Sequence, residues 1–164
     1  MKTLYLIRHA KSDCKNPELT DFERTLNKRG LKDVTFMAEK LNELAFNPDH
    51  IICSSSQRTS TKAKLICKGI NYPLKDVCFD PSINEVSLTT LIAIINLLPN
   101  NKDEIAIIGH NPSITNLSNY LINDHIANMP TCSIVKIELE IDNWNEIVRE
   151  IGIQKFFIYP KSFV

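Results

Sequence analysis

The sequence predicts an α/β fold built on a mainly parallel central sheet. Short apolar runs alternate with longer amphipathic ones along the chain, the pattern of strands separated by crossover helices. Three of the short runs end in polar residues, and ligands in open parallel sheets sit beyond the carboxyl ends of the strands. The 164 residues suit one domain, expected over 1–164, that buries roughly two thirds of the surface its unfolded chain exposes. No internal repeat, low-complexity tract or linker interrupts them.

Thr3 to Ile7 reads as a buried strand, and Asp13 to Leu26, polar and rich in turn formers, as a surface loop. From Asn27 to Leu44, apolar residues at Leu31, Val34, Phe36, Met37, Ala38 and Leu41 fall close to helical spacing. Pro48-Asp49 resets the chain into a strand, His50 to Cys53. Ser55 or Ser56 supplies an N-cap for a helix running to about Lys68. Val77 to Phe79 is a short strand, and Leu88 to Leu98 an apolar helix ended by Pro99. Glu104 to Ile108 is another buried strand, followed by Gly109-His110-Asn111-Pro112. Pro112, at a first helical turn, starts a helix that reaches Leu121. Ser133 to Glu140 and Ile147 to Ile151 both alternate, as antiparallel strands at a sheet edge do.

Composition is that of an ordinary globular protein, 43% hydrophobic and 23% charged, with a formal net charge of zero. No global field draws nucleic acid or an anionic membrane, so neither is expected as a partner. An anionic ligand must therefore be held by a local cluster of cations. The five cysteines are odd in number and form no CxxC pair, which argues against a disulfide framework or zinc knuckle and for a reducing compartment. Leu4 to Ile7 is too short for a signal peptide core or a membrane span. A cytoplasmic location is the expectation.

The chemistry gathers at three strand ends. Tyr5-Leu6-Ile7 runs into Arg8-His9, the His50 to Cys53 strand into Ser54-Ser55-Ser56-Gln57-Arg58, and Ile105 to Ile108 into Gly109-His110-Asn111. If these strands are parallel neighbours, Arg8, His9, Arg58 and His110 converge on one pocket. Two arginines offer planar, permanently charged donors to the oxygens of a phosphoryl group. A neutral imidazole whose other nitrogen is fixed can attack phosphorus and hold it covalently, and a second imidazole can stabilise the transferring group. That set needs no metal and no cofactor. Each part alone has a plainer reading: a loop Arg-His pair, a serine N-cap, a solvated arginine, a tight strand-to-helix turn. His50 and His125 read as structural or solvent-exposed.

At these residues the chain resembles the histidine phosphatase superfamily, whose first strand ends in Arg-His-Gly or Arg-His-Ala, and within it the small SixA-type phosphohistidine phosphatases. The matching segments are Leu6 to Ser12, Asp21 to Gly30, Pro48 to Ser55, Gln57-Arg58-Thr59, Gly109 to Pro112, Pro130 to Ser133, and Trp144. The resemblance implies a three-layer α/β/α sandwich of the phosphoglycerate mutase-like kind without a large lid insertion. It also implies His9 as the phosphorylated nucleophile in a phosphate pocket formed by Arg8, Arg58 and His110. Arg24 would brace the loop after the first strand, and Ser54 to Ser56 would add phosphate contacts. For the general acid, Glu85 is the best positional match, with Asp13 and Asp21 as alternatives.

The stretch between Arg58 and His110 is already filled by a helix, a short strand and another helix, which leaves little room for a lid. An open site suits a phosphorylated side chain on another protein, so the expected partner is a phosphohistidine-bearing protein, for instance a histidine phosphotransfer domain. Imidazole leaves a protonated phosphohistidine as a neutral group and needs less acid help than an alkoxide does, which fits a loosely matched acid. The competing readings are a phosphatase or mutase for a small phosphorylated metabolite and a catalytically silent phosphate-binding module. A His/Asp metal hydrolase is a further alternative, although no HxxxH or HxD spacing supports it.

Overall fold

The computed structural model describes residues 1–9, 27–83 and 86–163; the side chains of Gln57 and Arg58 fall outside that description. Along the chain come β1 (Lys2–Arg8), α1 (Lys28–Glu43), β2 (His50–Ser54), α2 (Gln57–Ile70), β3 (Cys78–Asp80) and α3 (Leu88–Asn96). They are followed by β4 (Glu104–Gly109), α4 (Ser113–Leu121), β5 (Ile134–Leu139) and β6 (Gly152–Ile158). The loop expected over Asp13 to Leu26 lies outside the described residues.

The six strands form one sheet in the order β3-β2-β4-β1-β5-β6. The first four are mutually parallel and β5 and β6 run antiparallel, so the expectation of a mainly parallel sheet with an antiparallel edge holds. β1 and β4 are interior strands covered on both faces, which is why they read as unbroken apolar runs. Alternation along them sorts the core into two layers. Leu4, Leu6, Ile105 and Ile107 pack with Leu91, Ile95, Ile114 and Leu117 of α3 and α4. Tyr5, Ile7, Ala106 and Ile108 pack with Val34, Met37, Leu41, Ala63 and Ile66 of α1 and α2. The result is the expected three-layer α/β/α sandwich.

Register sets the strand ends level. Arg8 lies opposite Gly109, and Cys53 opposite Ile108, so the residues that follow β1, β2 and β4 emerge on the same rim of the sheet. The helices begin where the caps dictate: Asn27 accepts from the Gly30 amide at 2.8 Å and Ser87 from the Thr90 amide at 3.2 Å.

Two expectations shift. Pro112 stands at the N-cap of α4, one place before its first helical residue. The last strand is β6, not Ile147 to Ile151. Glu150 adopts a left-handed backbone with φ 64°, and its amide donates to the Tyr120 carbonyl at 2.8 Å. An extended run cannot pass through that conformation, so pairing with β5 starts only at Gly152.

Candidate active site

The site is built on the rim where β1, β4 and β2 end. His9 directly follows β1. Its amide donates to the Gly109 carbonyl at 3.0 Å, and its carbonyl accepts from the Cys132 amide at 3.0 Å. The backbone of the candidate nucleophile is thus pinned between β4 and the chain that leads into β5. Cys132 makes its half of that contact in the left-handed region, at φ 66°, a conformation that costs a non-glycine residue on the order of 1 kcal/mol.

His110 follows β4, and the two imidazoles lie with ring centroids 5.1 Å apart. Both are nearly buried, His9 at 7% and His110 at 5% exposure. His110 Nε2 lies 2.8 Å from the Ser54 hydroxyl and 3.4 Å from that of Ser56, so the end of β2 orients the second imidazole. Ser56 also shares a hydrogen bond with Thr59, whose hydroxyl donates to the Ser54 carbonyl at 2.8 Å. Ser56 is the N-cap residue of α2, yet its side chain makes no cap bond. Its hydroxyl is engaged toward Thr59 and His110 instead, and Ser54 and Ser56 are both fully buried.

Arg8 is half-buried, and its guanidinium donates to the Met129 carbonyl. A side-chain relay from α4 holds that carbonyl in place. Thr115 donates to Asn111 at 2.7 Å, Asn111 donates to Asn128 at 2.7 Å, and the Met129 amide donates to Thr115 at 3.2 Å. Arg58 is the second residue of α2, between Ser56 and Thr59 in sequence, so its backbone stands at the same rim. Of the proton-donor candidates, Glu85, Asp13 and Asp21 all lie outside the described residues, as does Arg24. The chain just before Glu85 is described: Ile83 packs its Cγ2 3.5 Å from the point a Cβ on Gly109 would occupy. That sets Ile83 against the residue preceding His110.

Reading the sequence alone missed Lys62. It is fully buried in α2, and its ammonium donates to the carbonyl of Arg8 and lies 3.4 Å from the Cys132 sulfur. Burial pulls its pKa below the ordinary lysine range, while the neighbouring Cys132 opposes the shift. Burial likewise pushes the Cys132 thiol up. One lysine therefore ties α2 to the peptide that joins Arg8 to His9. The signal was present in the sequence: Thr59, Lys62, Ala63, Ile66 and Cys67 fall at i, i+3, i+4, i+7 and i+8, placing a lysine on the core-facing stripe. His50, by contrast, starts β2 at the opposite rim, and burial beside Lys102 lowers its pKa. His125 is exposed, as expected.

A parallel α/β sandwich with two buried imidazoles and an arginine at level strand ends belongs to the phosphoglycerate mutase-like class of folds. More narrowly, the chain belongs to the histidine phosphatase superfamily (branch 1), whose sequence profile matches residues 4–92, more than half of its length. Solved structures agree in fold. A protein of Agrobacterium tumefaciens assigned as the phosphohistidine phosphatase SixA superposes with a TM-score of 0.83 at 19% identity, over 97% of this chain and 98% of that one. The protein histidine phosphatase SixA complexed with tungstate gives 0.83 at 17% identity, over 99% of each chain. A mycobacterial glucosyl-3-phosphoglycerate phosphatase gives 0.65 at 15% identity, over 94% of this chain and 97% of that one. No curated protein matches the sequence. Among the described residues, no helix is long and apolar enough to cross a membrane.

Proposed function

We propose that this chain is a metal-independent phosphohistidine phosphatase that works through a phosphoryl group held on His9. The observation that carries the reading is the pair of nearly buried imidazoles, 5.1 Å apart, at the level ends of β1 and β4. In the first step a ring nitrogen of His9 attacks phosphorus, and the bond from phosphorus to the substrate's imidazole nitrogen breaks. The leaving imidazole departs as a neutral group that retains its proton. Water then attacks the phosphoryl group on His9, releasing orthophosphate and restoring the free imidazole. Arg8 and Arg58 would balance the negative charge of the phosphoryl oxygens, and His110 would donate to them as charge builds in the transition state. Glu85 would supply or accept the proton where the leaving group requires it.

The substrate class rests on architecture. Between Arg58 and His110 the described chain is spent on α2, β3 and α3, so that stretch carries no inserted domain to enclose a small metabolite. The full SixA-like length of the match supports the same reading, and a phosphatase of small phosphorylated metabolites is the alternative, since such an enzyme shares the fold at a lower TM-score.

The test is turnover in excess chelator of a phosphohistidine-bearing phosphotransfer protein and of a panel of sugar phosphates, beside His9→Ala. The expected result is fast loss of protein-bound phosphate with slow sugar-phosphate turnover, and a loss of at least about 10⁴-fold in the variant. Labelled phosphate trapped on His9→Ala overturns the nucleophile. Turnover confined to sugar phosphates keeps the mechanism and replaces the substrate.

A further inference from the structure

Next to Arg8 the surface opens into two adjoining clefts of about 410 and 310 Å³, which share Arg29, Asp33, Pro160 and Lys161 as walls. The first cleft is bounded by Arg8 and Tyr159, the second by Lys32 and Phe36. Together they form a groove leading from the catalytic rim across the start of α1. Its charge is lopsided. Among the described residues that line it, Arg29, Lys32 and Lys161 face one carboxylate, Asp33, in a chain whose net charge is zero.

That carboxylate does little to cancel them. Asp33, partly buried, pairs among the described residues with Arg29 alone, at 3.8 Å, and one carboxylate does not balance three cations. Among the described residues, Lys32 and Lys161 make no ion pair. The first turn of α1 contains Lys28 and Arg29 and no acidic residue, which sets cations against the positive end of the helix dipole. Local stability does not account for that choice of residues, whereas an anionic occupant does. The far wall is fixed in shape: Pro160–Phe163 forms a short helical turn, and Phe163 packs edge-on against Phe36 at 5.6 Å.

We infer that this groove docks an acidic segment of the phosphorylated protein, lying beside its phosphohistidine. The inference rests on the phosphohistidine reading of the neighbouring site and extends it to a recognition surface. Continuity with Arg8 sets the geometry: a segment seated along Lys161 and Lys32 ends where the phosphoryl group must lie. Exposed charges of this kind steer encounter and select partners more than they add affinity.

The test is fluorescence anisotropy of the whole protein with labelled peptides that carry a stable phosphohistidine analogue between acidic or between basic flanks. Lys32→Glu with Lys161→Glu, and the milder Lys32→Gln with Lys161→Gln, are compared with wild type. Turnover of free phosphohistidine is followed in parallel. The expected result is a preference for acidic flanks that weakens about tenfold in the charge reversal, weakens less in the neutral pair, and fades with added salt. Equal binding of both peptides by wild type, or undiminished acidic preference in the charge reversal, overturns the groove and leaves the phosphatase reading intact. An oligonucleotide of equal charge that binds more tightly than the peptide overturns the choice of occupant. Lysine-dependent acidic binding in a protein that turns over no phosphohistidine keeps the groove and removes the reaction.

Discussion

β1 has a buried lysine near each of its ends, and the two are neutralised differently. At the amino end Lys2 is almost fully buried, and its ammonium reaches the carbonyls of Asn100 and Lys102 at 2.6 and 3.3 Å and the Asp103 carboxylate at 2.8 Å. It also lies 5.7 Å from the ring centroid of Trp144. Near the carboxyl end Lys62 has one carbonyl and one thiol, and no carboxylate within ion-pairing distance among the described residues. Burying an ammonium costs several kcal/mol unless opposite charge or good acceptors offset it. The amino end is electrically closed and serves the fold. The carboxyl end sets Lys62 behind the peptide that joins Arg8 to His9, with no carboxylate beside its ammonium among the described residues.

The largest expected effect on stability is at the closed end. Trp144 is fully buried; its indole donates to the Lys102 carbonyl at 2.8 Å, and its amide to the Asn100 side chain at 2.9 Å. Trp144→Ala removes the packing beneath Lys2 and the indole hydrogen bond, while the backbone amide keeps its bond to Asn100. Unfolding free energy in urea should fall by about 3–5 kcal/mol, with turnover per folded molecule unchanged. A specific loss of activity in the fraction that remains folded breaks the division between the two ends.

At the open end the pattern should reverse. Lys62→Met replaces a buried cation with an apolar chain of similar length, an exchange that is often neutral or stabilising. The same variant frees the Arg8 carbonyl and withdraws charge from behind the phosphate, so kcat/KM should fall about tenfold to a hundredfold. Lys62→Arg, which retains the charge, should recover part of the loss and serves as the readout that a purely structural role would not move. If Lys62→Met unfolds the protein while Lys62→Arg behaves as wild type in both assays, Lys62 belongs with Lys2 as scaffold.

How much of this was legible in the sequence follows the same division. Periodicity exposed the strands of the parallel half because each is buried on both faces and ends in a polar turn, so Thr3–Ile7, His50–Cys53 and Glu104–Ile108 all stand within a residue or two of β1, β2 and β4. The final strand was misplaced because a left-handed Glu150 leaves no mark in an alternating run. Arg8, His9 and His110 were readable as strand-end residues, and the level register that joins them follows from parallel pairing. Lys62 escaped because attention to strand ends passes over helix faces. The residue types at Ser54 and Ser56 suit phosphate contacts, and the structure adds a contact the sequence does not show, from both hydroxyls to His110. A string of three serines does not show which way each side chain turns.

The two ends should also answer to opposite ends of the pH scale. Lys2 holds the Asp103 carboxyl below its ordinary pKa, so that pair contributes above the usual carboxylate range and is lost as pH falls through the lowered value. At the carboxyl end the relevant group is Cys53, whose thiol burial raises from 9.0 to about 12. Unfolded chains release that proton near 9.0 while the folded protein retains it, so the unfolded state binds fewer protons over the interval and stability falls as pH rises from about 9 toward 12. By pH 10.5 the loss from Cys53 alone is on the order of 2 kcal/mol. Cys67, raised to about 11, acts in the same direction. Lys62 acts in the opposite one, because its lowered pKa makes the unfolded state the better proton binder up to the ordinary lysine value. Urea midpoints measured between pH 8 and 10.5 should therefore decline, and the decline should flatten in Cys53→Ala, whose small cavity shifts the level at every pH and leaves the slope as the readout. In Lys62→Met the decline should steepen, since the opposing contribution is gone. A slope indifferent to both substitutions places the alkaline sensitivity away from this end of the sheet.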